Sequence, residues 1–325
     1  MINMNPLDRM AFLANLDRYQ NLLERLGAEP SIGQPNGASA DLPHVFFVDS
    51  VDGETANSGN SPDTALASID AAIGKCTANR GDLIVCLPAH VETVTAAAGL
   101  ALDVAGVTIV GIGEGSLRAK INFTTAVGAS MVVSAANCTM VNILFTGGID
   151  ALTNPVHIQA ADFKLLGCET RDVTGQATDF IVTTDAADRL YISGWKHQGD
   201  AAAGADTAIS IVGCDDIVIE DFDIYGNFAV AAIEQVTTAG NRHRYGGGAK
   251  QCYIWTENAA DVAITLKSDT TGHIGPGINV MLQDNAANIT ECLVGAAAQF
   301  FLPLNVCNLA GELAMAINIT ASTDA

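Results

Sequence analysis

The sequence predicts an all-β chain, a single-stranded right-handed parallel β-helix behind a short N-terminal α-helix. Three observations predict it. Short apolar strands return at a nearly constant step along most of the chain. A corner of small residues ending in Asn or Asp returns between them. The apolar content, 49% of residues, is mostly Ala, Val and Ile, with 31 glycines and 6% aromatics, which suits thin stacked strands and tight corners better than a helical bundle.

The strands begin at Val107, Cys138, Phe163, Leu190, Ile217, Cys252 and Ile278, at steps of 31, 25, 27, 27, 35 and 26 residues. The long step contains NRHRYGGGAK, which reads as an inserted loop. A second strand precedes most of these, at Met131–Ser134, Val156–Gln159, Phe180–Thr183 and Ala208–Val212. The corners between are Ala135-Ala136-Asn137, Ala160-Ala161-Asp162, Ala186-Ala187-Asp188 and Gly213-Cys214-Asp215-Asp216. One coil of ~27 residues cannot bury both sides of its strands, so coils must stack and share one apolar column. With rungs ~4.8 Å apart, about nine coils make a rod of roughly 40 Å. Crossover helices do not fit, because the connections are too short and too rich in Gly and Asp.

The ends follow from what a solenoid leaves open. Val45–Val48 is a strand, Ala65–Ile73 a short helix with Leu66, Ile69 and Ile73 on one face, and Leu83–Leu87 a strand. That helix is the natural lid for an end whose strand edges are otherwise unpaired. Residues 296–325 are apolar, break the repeat and read as a cap or an oligomer contact. Residues 5–26 read as a helix, capped by Asn5, with Pro6 at its first position and Gly27 ending it. Phe12, Leu16, Tyr19, Leu23 and Leu26 form a seam about two heptads long, too short to stand alone in water. It needs its own domain, a sister subunit or another protein, which makes these five residues candidate partner-binding positions. The divisions are therefore 1–29 for the helix, 30–43 for a Pro/Gly/Ser-rich linker, 44–295 for the β-helix and 296–325 for the cap.

Charge excludes some partners. Fifteen basic against 36 acidic residues give −21, which repels phosphate backbones and anionic membranes. No apolar run reaches the ~18 residues of a membrane span. Charged residues from Asp8 to Arg25 interrupt any secretory leader. The eight cysteines form no C-x-x-C pair and several sit in apolar runs, so they read as reduced core thiols of a protein assembled in a reducing compartment.

The run FFVDSVDGETANSGNSPDTALASIDAAI, then GDLIVCLPAHVETV and VAGVTIVGIGEG, resembles the opening of pectin-lyase-like β-helix proteins, above all those of tailed bacteriophages and prophages. The resemblance spans roughly residues 44–290. It implies a virion structural protein, a capsid decoration, head fibre or tail appendage, assembled in the host cytoplasm as a homotrimer among other virion proteins. In that reading the N-terminal helix anchors the rod. The alternative it implies is a tailspike-like protein that binds or depolymerises host surface polysaccharide.

Polysaccharide lyases of this kind use acidic Ca²⁺ ligands with a basic proton abstractor, and the hydrolases use N-x-D, D-D, G-H-G and R-x-K elements. Asp215-Asp216 matches the D-D pair, but no G-H-G or R-x-K follows it, and the pair occupies a repeating corner. No dinucleotide, phosphate-loop or zinc motif is present. The expectation is no catalytic residue, no cofactor and no resident metal. Two clusters remain. Asp221 and Asp223 alternate on one strand and face one side, as a solvated acidic face or a pair of Ca²⁺ ligands. Arg242 and Arg244, in the expected loop, are candidates to hold an acidic sugar or a partner carboxylate.

Overall fold

The computed structural model describes residues 43–172, 177–200, 204–257 and 262–282, and the short strands Leu293–Gly295, Gln299–Phe301, Asn305–Asn308 and Ile317–Asn318. The seam from Phe12 to Leu26 lies outside them. The chain winds as a parallel β-solenoid with three walls, sheets of ten, nine and nine strands in which hydrogen-bonded neighbours are one full coil apart. The first wall starts at Val45–Val48, the second at Val91–Val94 and the third at Leu100–Leu102.

The sequence predicts two strands per coil, and the structure has three. CTMVNILF is two strands, Thr139–Val141 and Leu144–Gly147, on different walls, separated by a corner at Asn142. Likewise Lys164–Leu166 and Glu169–Asp172 part at Gly167, and Tyr191–Ser193 and Lys196–Gln198 at Gly194. These corners are two residues long and carry no turn cluster, so an apolar run hides them. The long step is a consequence: Cys252–Thr256 belongs to the second wall. The expected loop is His243–Tyr245, a first-wall strand paired with Val218–Glu220 and Thr271–Ile274.

The interior is built from register columns. On the first wall Ile84, Ile109, Met140, Leu165, Ile192, Ile219 and Tyr245 stack coil on coil, all buried. On the second wall the column is Ile121, Phe145, Thr170, His197, Ile224 and Ile254. Each fully buried Ile or Phe contributes roughly 1.5–3 kcal/mol, and none can bury itself without the rung above and below. The polar members of the second column meet each other, although the buried Nε2 of His197 has no hydrogen-bond partner. Trp195 Nε1 donates to Thr170 Oγ1 at 2.9 Å, and the same hydroxyl hydrogen-bonds His197 Nδ1, also at 2.9 Å. Burial pushes His197 down to about 3, so the imidazole is neutral.

The helix at the first end is Ile69–Ile73, shorter than expected, with Ser68 Oγ accepting from Ala71 N. Ile69, Ala72 and Ile73 pack into the core beside Phe46, Val48 and Leu100, so the helix closes the end of the column. Asp82 locks the same end. It is fully buried, pairs with Arg80 at 2.6 and 2.7 Å, and accepts the N–H groups of His44 and Thr77. Burial pushes its carboxyl up, but the guanidinium and the two N–H donors outweigh that and hold it below the usual carboxylate range. At the other end the repeat does not stop at 295. Gln299–Phe301, Asn305–Asn308 and Ile317–Asn318 extend the three walls in turn. The six described cysteines are free thiols.

Candidate functional site

Between the third and first walls, a left-handed residue recurs from coil to coil at Asn137, Asp162, Arg189, Asp216, Arg242 and Asp269, at φ from 58° to 67°. In the corner read as Ala186-Ala187-Asp188 the left-handed residue is Arg189, and Asp188 accepts the Asp215 N–H instead. Acids and bases alternate from coil to coil. Arg189 grips Asp162 with two bonds of 2.7 Å, and Arg242 grips Asp216 with bonds of 2.6 and 2.7 Å. Asp215 accepts from the backbone and side chain of Asn241. The D-D pair is thus a turn element tied to the next coil. Arg244 is likewise paired, to Glu220 at 2.7 Å, and Glu220 also receives the Tyr191 hydroxyl. Neither arginine offered as a partner contact is loose.

The corner between the first and second walls also repeats a left-handed residue: Asn142, Gly167, Gly194 and Asp221. The first three donate their N–H to the coil above, at Leu166, Ser193 and Glu220. The residue after each is buried: Ile143, Cys168, Trp195 and Phe222. Where the corner residue is glycine, no side chain fills the outer bend. Beside Gly194 a groove of about 560 Å³ opens, lined by Gly194, Lys196, Asp221, Asp223, Lys250 and Tyr253, with Trp195, Phe222 and Gln251. Asp221 is at the corner, not on the strand as alternation suggested, yet it shares the groove with Asp223. Its Oδ1 accepts the Lys250 N–H at 2.6 Å and holds the loop that forms one rim.

The outer face of the second wall continues the groove. Register places Lys196, Asp223, Tyr253 and Asn279 in one column, and Gln198, Tyr225, Trp255 and Met281 in the next. Tyr253 is 48% exposed and Trp255 39%, both at positions the core does not use. Tyr253 donates to Gln251 Oε1 at 3.0 Å, and Asn279 Nδ2 reaches the same atom, which fixes the ring's edge and leaves a face to solvent. A hydrogen bond to Glu257 raises the Tyr225 hydroxyl to about 12, so it stays protonated. Aromatic faces beside two lysines and two aspartates suit a ligand with apolar C–H faces and many hydroxyls.

A second cluster was missed in the sequence. Asp179, Asp206 and Glu234 come together at the third wall. Burial raises Asp179 and Glu234, and the neighbouring acids add to it. Thr207 donates to Asp179 at 2.7 Å. The signal existed, because these acids recur at the coil period. Asp172 is 4% exposed, and burial, opposed by the Ala177 N–H and reinforced by Asp200 and Asp150, raises it to about 6. Among the described residues no set of three or more His, Cys, Asp or Glu side chains is arranged to hold a metal, and no helix is long and apolar enough to cross a membrane.

No protein-family model matches the chain, and no curated protein matches it. Among solved structures it is similar to a rhamnogalacturonan lyase, at 11% identity and TM-score 0.35 over 86% of this chain and 87% of the other. It is also similar to a GH136 lacto-N-biosidase from Eubacterium ramulus, at 10% identity and TM-score 0.40 over 86% of this chain and 67% of the other. At such values the likenesses say nothing of activity.

Proposed function

We propose that this chain is a rigid, non-catalytic structural rod displayed on a bacteriophage-type particle, and that the outer face of its second wall holds a saccharide of the host surface. The observation that carries the binding role is the exposed ring of Tyr253 above Lys196 and Asp223 in the groove beside Gly194, with a second exposed ring, Trp255, in the next column of the same face. The non-catalytic part rests on the engagement of Asp215, Asp216, Glu220, Arg242 and Arg244 in coil-to-coil bonds. The phage-type setting rests on the resemblance of residues 44–290.

Titration calorimetry with host capsule or lipopolysaccharide tests the reading. Binding is expected, and Tyr253→Ala or Trp255→Ala should each weaken it about tenfold, ~1.4 kcal/mol. Unchanged affinity in both variants removes the groove from the account. A second reading has its own observation: the raised carboxyls of Asp179 and Glu234 suit a general acid. Release of new reducing ends or unsaturated products, lost in Asp179→Asn or Glu234→Gln, would replace the rod by a polysaccharide-cleaving enzyme.

A further inference from the structure

Over its first five rungs the first wall has two apolar faces. Phe46, Ile84, Ile109, Met140 and Leu165 point into the solenoid. Phe47, Val85, Val110, Val141 and Leu166, in register with one another, point out. With Val45 and Leu83 beside them and Ile112 at the corner, they form an apolar cluster separate from the core. Farther along, the same outward columns turn polar, with Ser193 and Glu220 following Leu166. The change is confined to one stretch of the wall.

Outward side chains on a wall one layer thick are open to water unless a second layer covers them. Leu83, Val85, Val110 and Val141 are only 2–5% exposed in the single chain. The cover therefore comes from this chain. The described strands all belong to the three walls, and the described α-helix closes the end of the column. Residues 1–42 enter the wall at Val45, which is itself part of the strip.

We infer that the seam Phe12, Leu16, Tyr19, Leu23 and Leu26 lies along this outer strip of its own chain. The lengths agree. From Phe47 to Leu166 the strip crosses four inter-rung steps, ~19 Å. A helix advances ~21 Å from residue 12 to residue 26. The linker before His44 is long enough to reverse direction, since each extended residue spans about 3.3 Å. Asp17, Arg18, Glu24 and Arg25 then face water. The segment is part of the rod's own wall in this arrangement, not the free anchor the sequence suggested.

The test uses the full chain carrying Leu16→Asp and Leu23→Asp, which leave the solenoid sequence untouched. Both wild type and variant should show the same β-type circular dichroism. The variant should bind several-fold more anilinonaphthalene sulfonate at every protein concentration, and the wild type should stay dark on dilution to monomer by light scattering. Equal dye binding in the two proteins overturns the inference. Dye binding that appears in the wild type as an oligomer dissociates also overturns it, because a second copy is then the cover. If the variant loses its circular dichroism, Phe12→Ala with Tyr19→Ala gives the same readout with a milder change, and again only a rise in dye binding supports the docking.

Discussion

Two corners of the solenoid share one backbone conformation and differ in everything else. Between the third and first walls, the left-handed positions carry Asp162, Arg189, Asp216 and Arg242, whose charges pair from coil to coil. Between the first and second walls, the same conformation falls on Asn142, Gly167, Gly194 and Asp221, and a groove opens beside Gly194. The lesson is that a repeat fixes where side chains stand, while the residue at one position per coil decides whether that place is sealed or available to a ligand. Charged residues at a corner are weak evidence of chemistry when the next coil supplies the opposite charge.

The strongest way to break the comparison is to fill the open corner. A Cβ at Gly194 meets only Gly167 backbone, at 3.4 Å, so space is not limiting and conformation is. At φ 68° a β-branched residue is strained, and Gly194→Val should cost about 2 kcal/mol in denaturant unfolding. Gly194→Asn separates the two effects, because Asn tolerates this conformation and Asn142 occupies the equivalent place two coils below, donating to Gly111 and Gly113. Its stability should stay within about 1 kcal/mol of wild type while saccharide affinity falls about tenfold, ~1.4 kcal/mol. Asn variants that bind as wild type would show that the vacancy is not what makes the groove.

The third corner, where the second wall hands over to the third, sharpens the comparison through pH. Arg189 and Arg242 hold Asp162 and Asp216 below the usual range, so these pairs change little above pH 5. Asp172 is the reverse case, raised to about 6 chiefly by burial. The folded state then holds more protons than the unfolded state between pH ~4 and ~6, so stability falls as pH rises through that window and levels off above it. Asp172→Asn keeps an acceptor for the Ala177 N–H and removes the charge. It should raise unfolding free energy by about 2 kcal/mol at pH 7.5 and leave it unchanged at pH 4. A variant equal to wild type at both pH values would mean that Asp172 is ionised without penalty.

The parts of this structure written in local sequence were legible. The repeat, the parallel stacking, the end-closing helix and the corners at Asn137, Asp162 and Asp216 all follow from apolar runs broken by small residues and Asn or Asp. The corner at Asn142 was not, because Val141 before it and Ile143 after it are both buried, and nothing breaks the apolar run there. Missing it merged two walls and turned the strand His243–Tyr245 into a loop. The site was less legible for a related reason. Tyr253 and Lys196 are 57 residues apart and share a column only because the chain returns to it every coil, with Asp223 between them. Asp179, Asp206 and Glu234 needed the coil period itself as the reading frame.

The smallest effect is expected at the sealed corner. Arg242 is 63% exposed, and its pair with Asp216 is screened by water and salt. Arg242→Asn keeps a residue that accepts φ 59° and removes the charge. Its thermal midpoint should match wild type in physiological salt and drop slightly when salt is lowered, since Asp188, Asp215 and Asp216 then face one another with one cation fewer. Saccharide affinity should not move, because the two corners lie on opposite edges of the first wall. A loss of stability as large as that of Gly194→Val, persisting at high salt, would mean that the ion-pair ladder carries the stacking of coils and is not merely permitted by it.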